Sequence, residues 1–150
     1  PPPGGLKTVY TLEFDFYAID SWDGSISVNG PDRFEVLVNN VVVFSETFAN
    51  THTSQSFQGQ PEGGRRQIAF HQTFVDAIYR DIRLEFEVPD TAPNVRISWR
   101  GVGLQQLIDE SWGIDNVSVG YQFRPLPAPG GLGLLLAASP ALARRPRRRP

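Results

Sequence analysis

Apolar and polar residues alternate with a period of two along most of this chain, the pattern of strands that bury one face. Between Lys7 and Ile19, Tyr10, Leu12, Phe14 and Phe16 share one face, with Thr11, Glu13 and Asp15 on the other. Phe34, Val36 and Val38 alternate with Glu35 and Leu37, Asn39-Asn40 turns the chain, and Val41 to Phe44 returns. Asparagine tolerates positive φ, so the pair predicts a two-residue hairpin whose arms pack in the core. Gln67 to Phe74 predicts a strand, and Val75 to Asp81 a turn or a single helical turn. Ile82, Leu84, Phe86 and Val88 form another alternating set, as do Val95, Ile97 and Trp99, and Ile114 to Val119 forms the last. Polar or connecting segments at Asp20 to Asp32, Ala49 to Arg66 and Gly101 to Ile108 separate them. Seven or eight short strands at 8–15-residue spacing, without an amphipathic helix, predict an all-β chain. The architecture expected for residues 6–123 is a single jelly-roll-like β-sandwich with its terminal strands paired.

That pairing has a chemical consequence. Asp20-Ser21-Trp22-Asp23-Gly24 follows the first strand, and Asp109-Glu110-Ser111-Trp112-Gly113 precedes the last. If the two strands are antiparallel neighbours, both acidic Ser-Trp turns meet at one sheet edge. Together with the loop between, they supply Asp20, Asp23, Asn29, Asp32, Asp109, Glu110, Asp115 and Asn116. Ca²⁺ takes six to eight hard oxygens from carboxylates, carbonyls and amides, and crowded carboxylates repel one another unless something offsets them. Asp20, Asp23, Asp32, Asp109, Glu110 and Asp115 are therefore candidate Ca²⁺ ligands. The competing reading is turn chemistry, in which Asp and Asn side chains cap nearby backbone N–H groups. Trp22 and Trp112, with Asn116, form a candidate carbohydrate site, since a ring beside amides and acids suits a sugar. Against it stands the reading of both tryptophans as plugs of the core.

No catalytic residue is assigned. His52 and His71 lack zinc-ligand spacing, and adjacent acids such as Asp109 and Glu110 are common on turns. Asn116-Val117-Ser118 matches a glycosylation pattern, but inside a predicted strand.

Charge divides the chain in two. Without Arg144, Arg145, Arg147, Arg148 and Arg149, nine basic residues face sixteen acidic ones in residues 1–124, a formal charge of −7. An acidic body excludes nucleic acid as the expected partner and suits a cation-binding or extracytoplasmic domain. Cysteine is absent, which excludes disulfides and thiolate metal sites. Residues 1–5, Pro1-Pro2-Pro3-Gly4-Gly5, carry no initiator Met and no leader-like region. They are expected to be a truncated or disordered segment, with a signal peptide missing upstream.

After Phe123 the composition changes. A proline-rich spacer leads into the small, apolar stretch Gly130 to Ala143 and then an arginine run. Leu126 to Ala143 is 18 residues, about 27 Å as a helix, close to a bilayer core. A terminal arginine stop would keep the C-terminus cytoplasmic and the β-domain outside; the alternative is a disordered tail. Arg124-Pro125-Leu126-Pro127-Ala128, the apolar span and the arginines together resemble a PEP-CTERM-type sorting signal of the VPLPA-CTERM variant, with Arg124 in the place of Val. The resemblance covers residues 124–149. It implies an exported bacterial protein, held at the inner membrane by a short C-terminal helix and processed by an exosortase near Pro125–Ala128. It further implies association with extracellular polysaccharide or surface matrix. The Ser-Trp stretches also resemble the lectin-like jelly-roll modules often joined to such tails. The function expected on this basis is a non-catalytic binding module, with a purely structural matrix component or a small polysaccharide-active enzyme as alternatives.

Overall fold

A computed structural model of the chain describes residues 4–26, 28–50, 54–69 and 71–126. Six strands form two antiparallel three-stranded sheets: β1 (Leu6–Asp20), β2 (Arg33–Val38), β3 (Val41–Thr47), β4 (Ala77–Glu87), β5 (Ile97–Val102) and β6 (Glu110–Pro125). One sheet has the order β4-β1-β6 and the other β3-β2-β5. No helix occurs among the described residues, and none is long and apolar enough to cross a membrane.

The predicted alternation of β1 becomes its inner row: Leu12, Phe14, Phe16 and Ala18 are buried. Phe16 lies at the centre, with ring centroids 4.2 Å from Phe34 of the facing sheet, 4.5 Å from Phe48 and 5.4 Å from Trp22. Phe14 meets Phe34 at 6.1 Å and Trp99 at 6.4 Å across the same interface. Burying each such ring contributes about 1.5–3 kcal/mol, so this aromatic layer is the main adhesive between the sheets.

The Asn39-Asn40 hairpin forms as expected, both residues at positive φ (48° and 68°) and Val38 opposite Val41. Its second arm departs from the expectation of core packing. Val41, Val42 and Val43 are exposed on β3, a sheet edge, and only Phe44 of the four packs against the core.

Three other local readings are corrected. The described residues between Gln67 and Phe74 form no strand: Asp76 accepts the N–H groups of Ile68 (2.7 Å) and Ala69 (2.8 Å), a side-chain cap. The stretch read as a turn before Ile82 instead belongs to β4 from Ala77 onward. The Trp112-Gly113 turn is the opening of β6, which runs on to Pro125, beyond the expected end at Val119. Pro125 therefore pairs with Leu6, and the N–H of Leu126 donates to Gly5 (2.9 Å). Pro127, Ala128, the apolar span with its predicted helix and Arg144 to Arg149 lie outside the described residues, as do Pro1 to Pro3, His52 and Phe70.

One interruption crosses the long sheet. The β1–β4 register shifts between Phe14 and Phe16, and the β1–β6 register between Glu13 and Asp15, so both neighbours bulge at the same level. Asp81 (φ 54°) and Asn116 (φ 51°) carry the left-handed backbone those bulges need. Buried Asp15 holds both: it accepts from the Asp81 N–H (3.0 Å), Arg80 (2.6 Å) and the Asn116 side-chain amide (2.6 Å). Burial pushes its carboxyl up, yet these three donors outweigh it and hold it below the ordinary range.

Candidate metal centre

The terminal strands pair antiparallel as anticipated, with Ala18 opposite Trp112, Ile19 opposite Ser111 and Asp20 opposite Glu110. The two Ser-Trp stretches therefore lie side by side. Ser21 fastens them: its N–H donates to the Asp109 carbonyl (3.0 Å) and its hydroxyl to Asp109 Oδ1 (2.7 Å). Trp22 adds a second link, its indole N–H donating to the Ser111 carbonyl at 2.7 Å.

Past Trp22 the chain must fold back tightly. Gly24 has φ 73°, and a Cβ there would lie 2.1 Å from the Ser54 carbonyl oxygen, so only glycine fits. The Gly24 carbonyl accepts the Asp32 N–H (2.9 Å), which closes the loop and returns Asp32 to Asp23. Asp32 Oδ2 then accepts the Asp23 N–H. Across the sheet edge, Glu110 opens β6, its carboxylate held by the N–H of Gln105 (2.5 Å) and its side-chain amide (3.3 Å).

The outcome is a cluster of three buried carboxylates. One oxygen each from Asp23, Asp32 and Glu110 lies within 4.8 Å of the others. Asp32 is fully enclosed and its Oδ1 has no hydrogen-bond partner. A buried carboxylate oxygen without a donor costs free energy unless a proton or a cation meets it. Burial, followed by the charge of Asp23, pushes the Asp32 carboxyl up to about 6. Burial pushes Glu110 up to about 7, and the charges of Asp32, Asp23 and Asp109 add to it. All-oxygen donors of high negative charge, close enough to share one ion, are the chemistry of a hard divalent cation such as Ca²⁺. Glu110 also lines a surface pocket of about 400 Å³ with Leu104, Gln105, Leu107, Ser111 and Trp112.

Half of the predicted ligand set is here and half is elsewhere. Asp109 stands alongside, its Oδ1 engaged by Ser21. Asp20, at φ 66° on the end of β1, has its carboxylate enclosed away from the cluster, and its N–H donates to Asp76 Oδ1 (2.9 Å). Burial and then the charge of Asp76 raise its carboxyl. Asp115 is exposed on β6, opposite Asp15, where its Oδ1 accepts the Asn116 N–H (2.7 Å). Asn116 is committed to Asp15 at the bulge. Trp22 is wholly buried, with no ring face for a ligand, whereas Trp112 is half-buried edge-on to Phe34 (5.2 Å) and borders the pocket of Glu110.

Residues that sequence reading did not single out complete the edge. Asn50 donates its side-chain amide to the Ala18 (2.9 Å) and Asp20 (2.8 Å) carbonyls, and Gln105 orients Glu110. Nothing in the spacing of Asn50 or Asp76 marks them, since both act through contacts between segments distant in sequence.

Comparison of the chain with protein-family models, with curated proteins and with solved structures gives no match.

Proposed function

We propose that this chain is an exported, exosortase-sorted bacterial surface or matrix protein whose β-sandwich is a non-catalytic binding module for Ca²⁺ and carbohydrate. The observation that carries the reading is the buried Asp23–Asp32–Glu110 cluster, in which Asp32 Oδ1 has no hydrogen-bond partner. A cation there ties the first loop to the start of the last strand, so it stabilises the frame rather than performing chemistry. The jelly-roll reading draws support from nested pairing, first strand with last in one sheet and second with penultimate in the other. The sorting reading rests on the order of proline motif, apolar span and arginine run.

The test is thermal unfolding of the full chain with millimolar Ca²⁺ and then with a chelator. Ligand at a hundredfold over Kd adds about 2.7 kcal/mol to the folded state, which corresponds to roughly 5–15 °C for a domain of this size. Asp32→Asn is expected to abolish that response while folding normally without metal. An equal melting temperature in both conditions would leave the acids as turn formers and the domain as a purely structural component. For the address, deletion of Gly130 to Pro150 should move the protein from the membrane fraction to the medium. Unchanged membrane retention would remove the sorting reading.

A further inference from the structure

β1 and β6 span 15 and 16 residues, whereas β2 and β5 in the opposite sheet span six each. At about 3.3 Å per residue the inner face of the first sheet is some 50 Å long and its cover about 20 Å. At the far end of that face the edge strand β6 is left open, while Leu12, Phe86 and Val88 beside it are buried. The side chains there are mostly aromatic or aliphatic. Thr8, Tyr10 and Leu12 of β1 pair with Phe123, Tyr121 and Val119 of β6, which places all six on the inward face. Tyr121 is 68% exposed and Phe123 47%.

These rings form one wall of an open groove. Tyr10 stacks on Phe86 (5.5 Å, 10° between planes), and Tyr121 stands 6.4 Å from Tyr10 and 5.8 Å from Phe123. The Val88 to Val95 connector makes the opposite wall, with Asp90 and Asn94 exposed on it, and the space between is about 400 Å³. It lies at the end of the sheet remote from the carboxylate cluster.

We propose that this groove binds a neutral polysaccharide chain, with Tyr121 and Phe123 as stacking platforms and Asp90, Asn94 and Thr8 as hydroxyl-binding groups. Flat aromatic faces match the apolar faces of pyranose rings, and the carboxylate, amide and hydroxyl match their edges. Charge decides against other linear ligands: the groove is lined by one acid and no cationic side chain, and the body carries net negative charge, which disfavours anionic polymers. This groove is the carbohydrate site of the binding module proposed above, moved from Trp22 and Trp112 to the opposite end of β1 and β6.

The experiment is affinity electrophoresis of the full chain through gels containing neutral or acidic polysaccharides, alongside the Ca²⁺ melting assay. Retardation by at least one neutral polysaccharide is expected, with about tenfold weaker binding in Tyr121→Ala/Phe123→Ala. Because both rings are exposed, that variant should retain its Ca²⁺-dependent melting; Asn94→Ala, on the rim, serves as a second variant and should weaken binding severalfold. Equal retardation of wild type and both variants would place the sugar elsewhere and overturn the assignment. So would tighter binding of acidic than neutral polymer, or dimers in sedimentation that the double variant dissolves without any polysaccharide binding. A Ca²⁺ response without retardation would overturn the groove and leave the metal reading intact; retardation without a Ca²⁺ response would do the reverse.

Discussion

Trp22→Ala is expected to cost about 4 kcal/mol, enough to leave a marginally stable domain largely unfolded near physiological temperature. The residue is wholly enclosed, edge-on to Phe16 (5.4 Å) and Phe48 (6.3 Å). Truncation opens a cavity at the point where both sheets and the first loop converge. It also removes the indole N–H from the Ser111 carbonyl (2.7 Å), so a buried acceptor loses its donor at the start of β6. Urea denaturation read by far-UV circular dichroism measures the loss. Trp22→Phe, which keeps a smaller aromatic ring and deletes the donor, should cost about half as much. A change below 1 kcal/mol for the alanine variant would contradict the role assigned to this side chain.

The second large effect is a pH dependence that Ca²⁺ reverses. Asp32 and Glu110 titrate in the folded chain at about 6 and about 7, against ordinary values of 3.8 and 4.5. A carboxyl with a raised pKa holds its proton more tightly when folded, so metal-free stability is greatest at the acid side of this range. It falls as the pH rises from about 4 through about 7, when the cluster must ionise without a counter-charge. Because the two groups act on one another, the effect belongs to the pair and not to either residue. Asp20, also raised, acts in the same direction; Asp15 and Glu35, both lowered, weaken the fold only in more acidic solution. In chelator, the melting temperature should therefore drop by several degrees between pH 5 and pH 8. With millimolar Ca²⁺ most of the drop should disappear, since the ionised cluster is the form that binds metal. A metal-free protein that gains stability over this interval would refute the assignment of the cluster.

Both predictions concern the junction of β1 with β6, which was partly legible before any coordinates. The alternation of Leu12, Phe14 and Phe16 determined which face of β1 is buried, because a period of two has only one way to hide its apolar set. Asn39-Asn40 determined a hairpin because few residues accept φ above zero. The recurrence of acid, serine and tryptophan at two distant places suggested that the ends of the terminal strands meet, and they do. Overall, the class of fold and the neighbourhood of the carboxylates were local properties of the chain.

Which acids share a site was not local. Asp20 and Asp23 are three residues apart, yet the left-handed turn at Asp20 sends one beside Asp76 and the other toward Asp32 and Glu110. Asp115 follows Glu110 closely, but strand geometry carries it along β6 to an exposed position. Tyr121 and Phe123 continue an alternation that reads as core; their place on the edge strand, beyond the short opposing sheet, leaves them in solvent. Sequence determines how each segment offers its side chains. Tertiary structure decides which offers are met, because burial depends on the length and position of a partner that the segment itself does not encode.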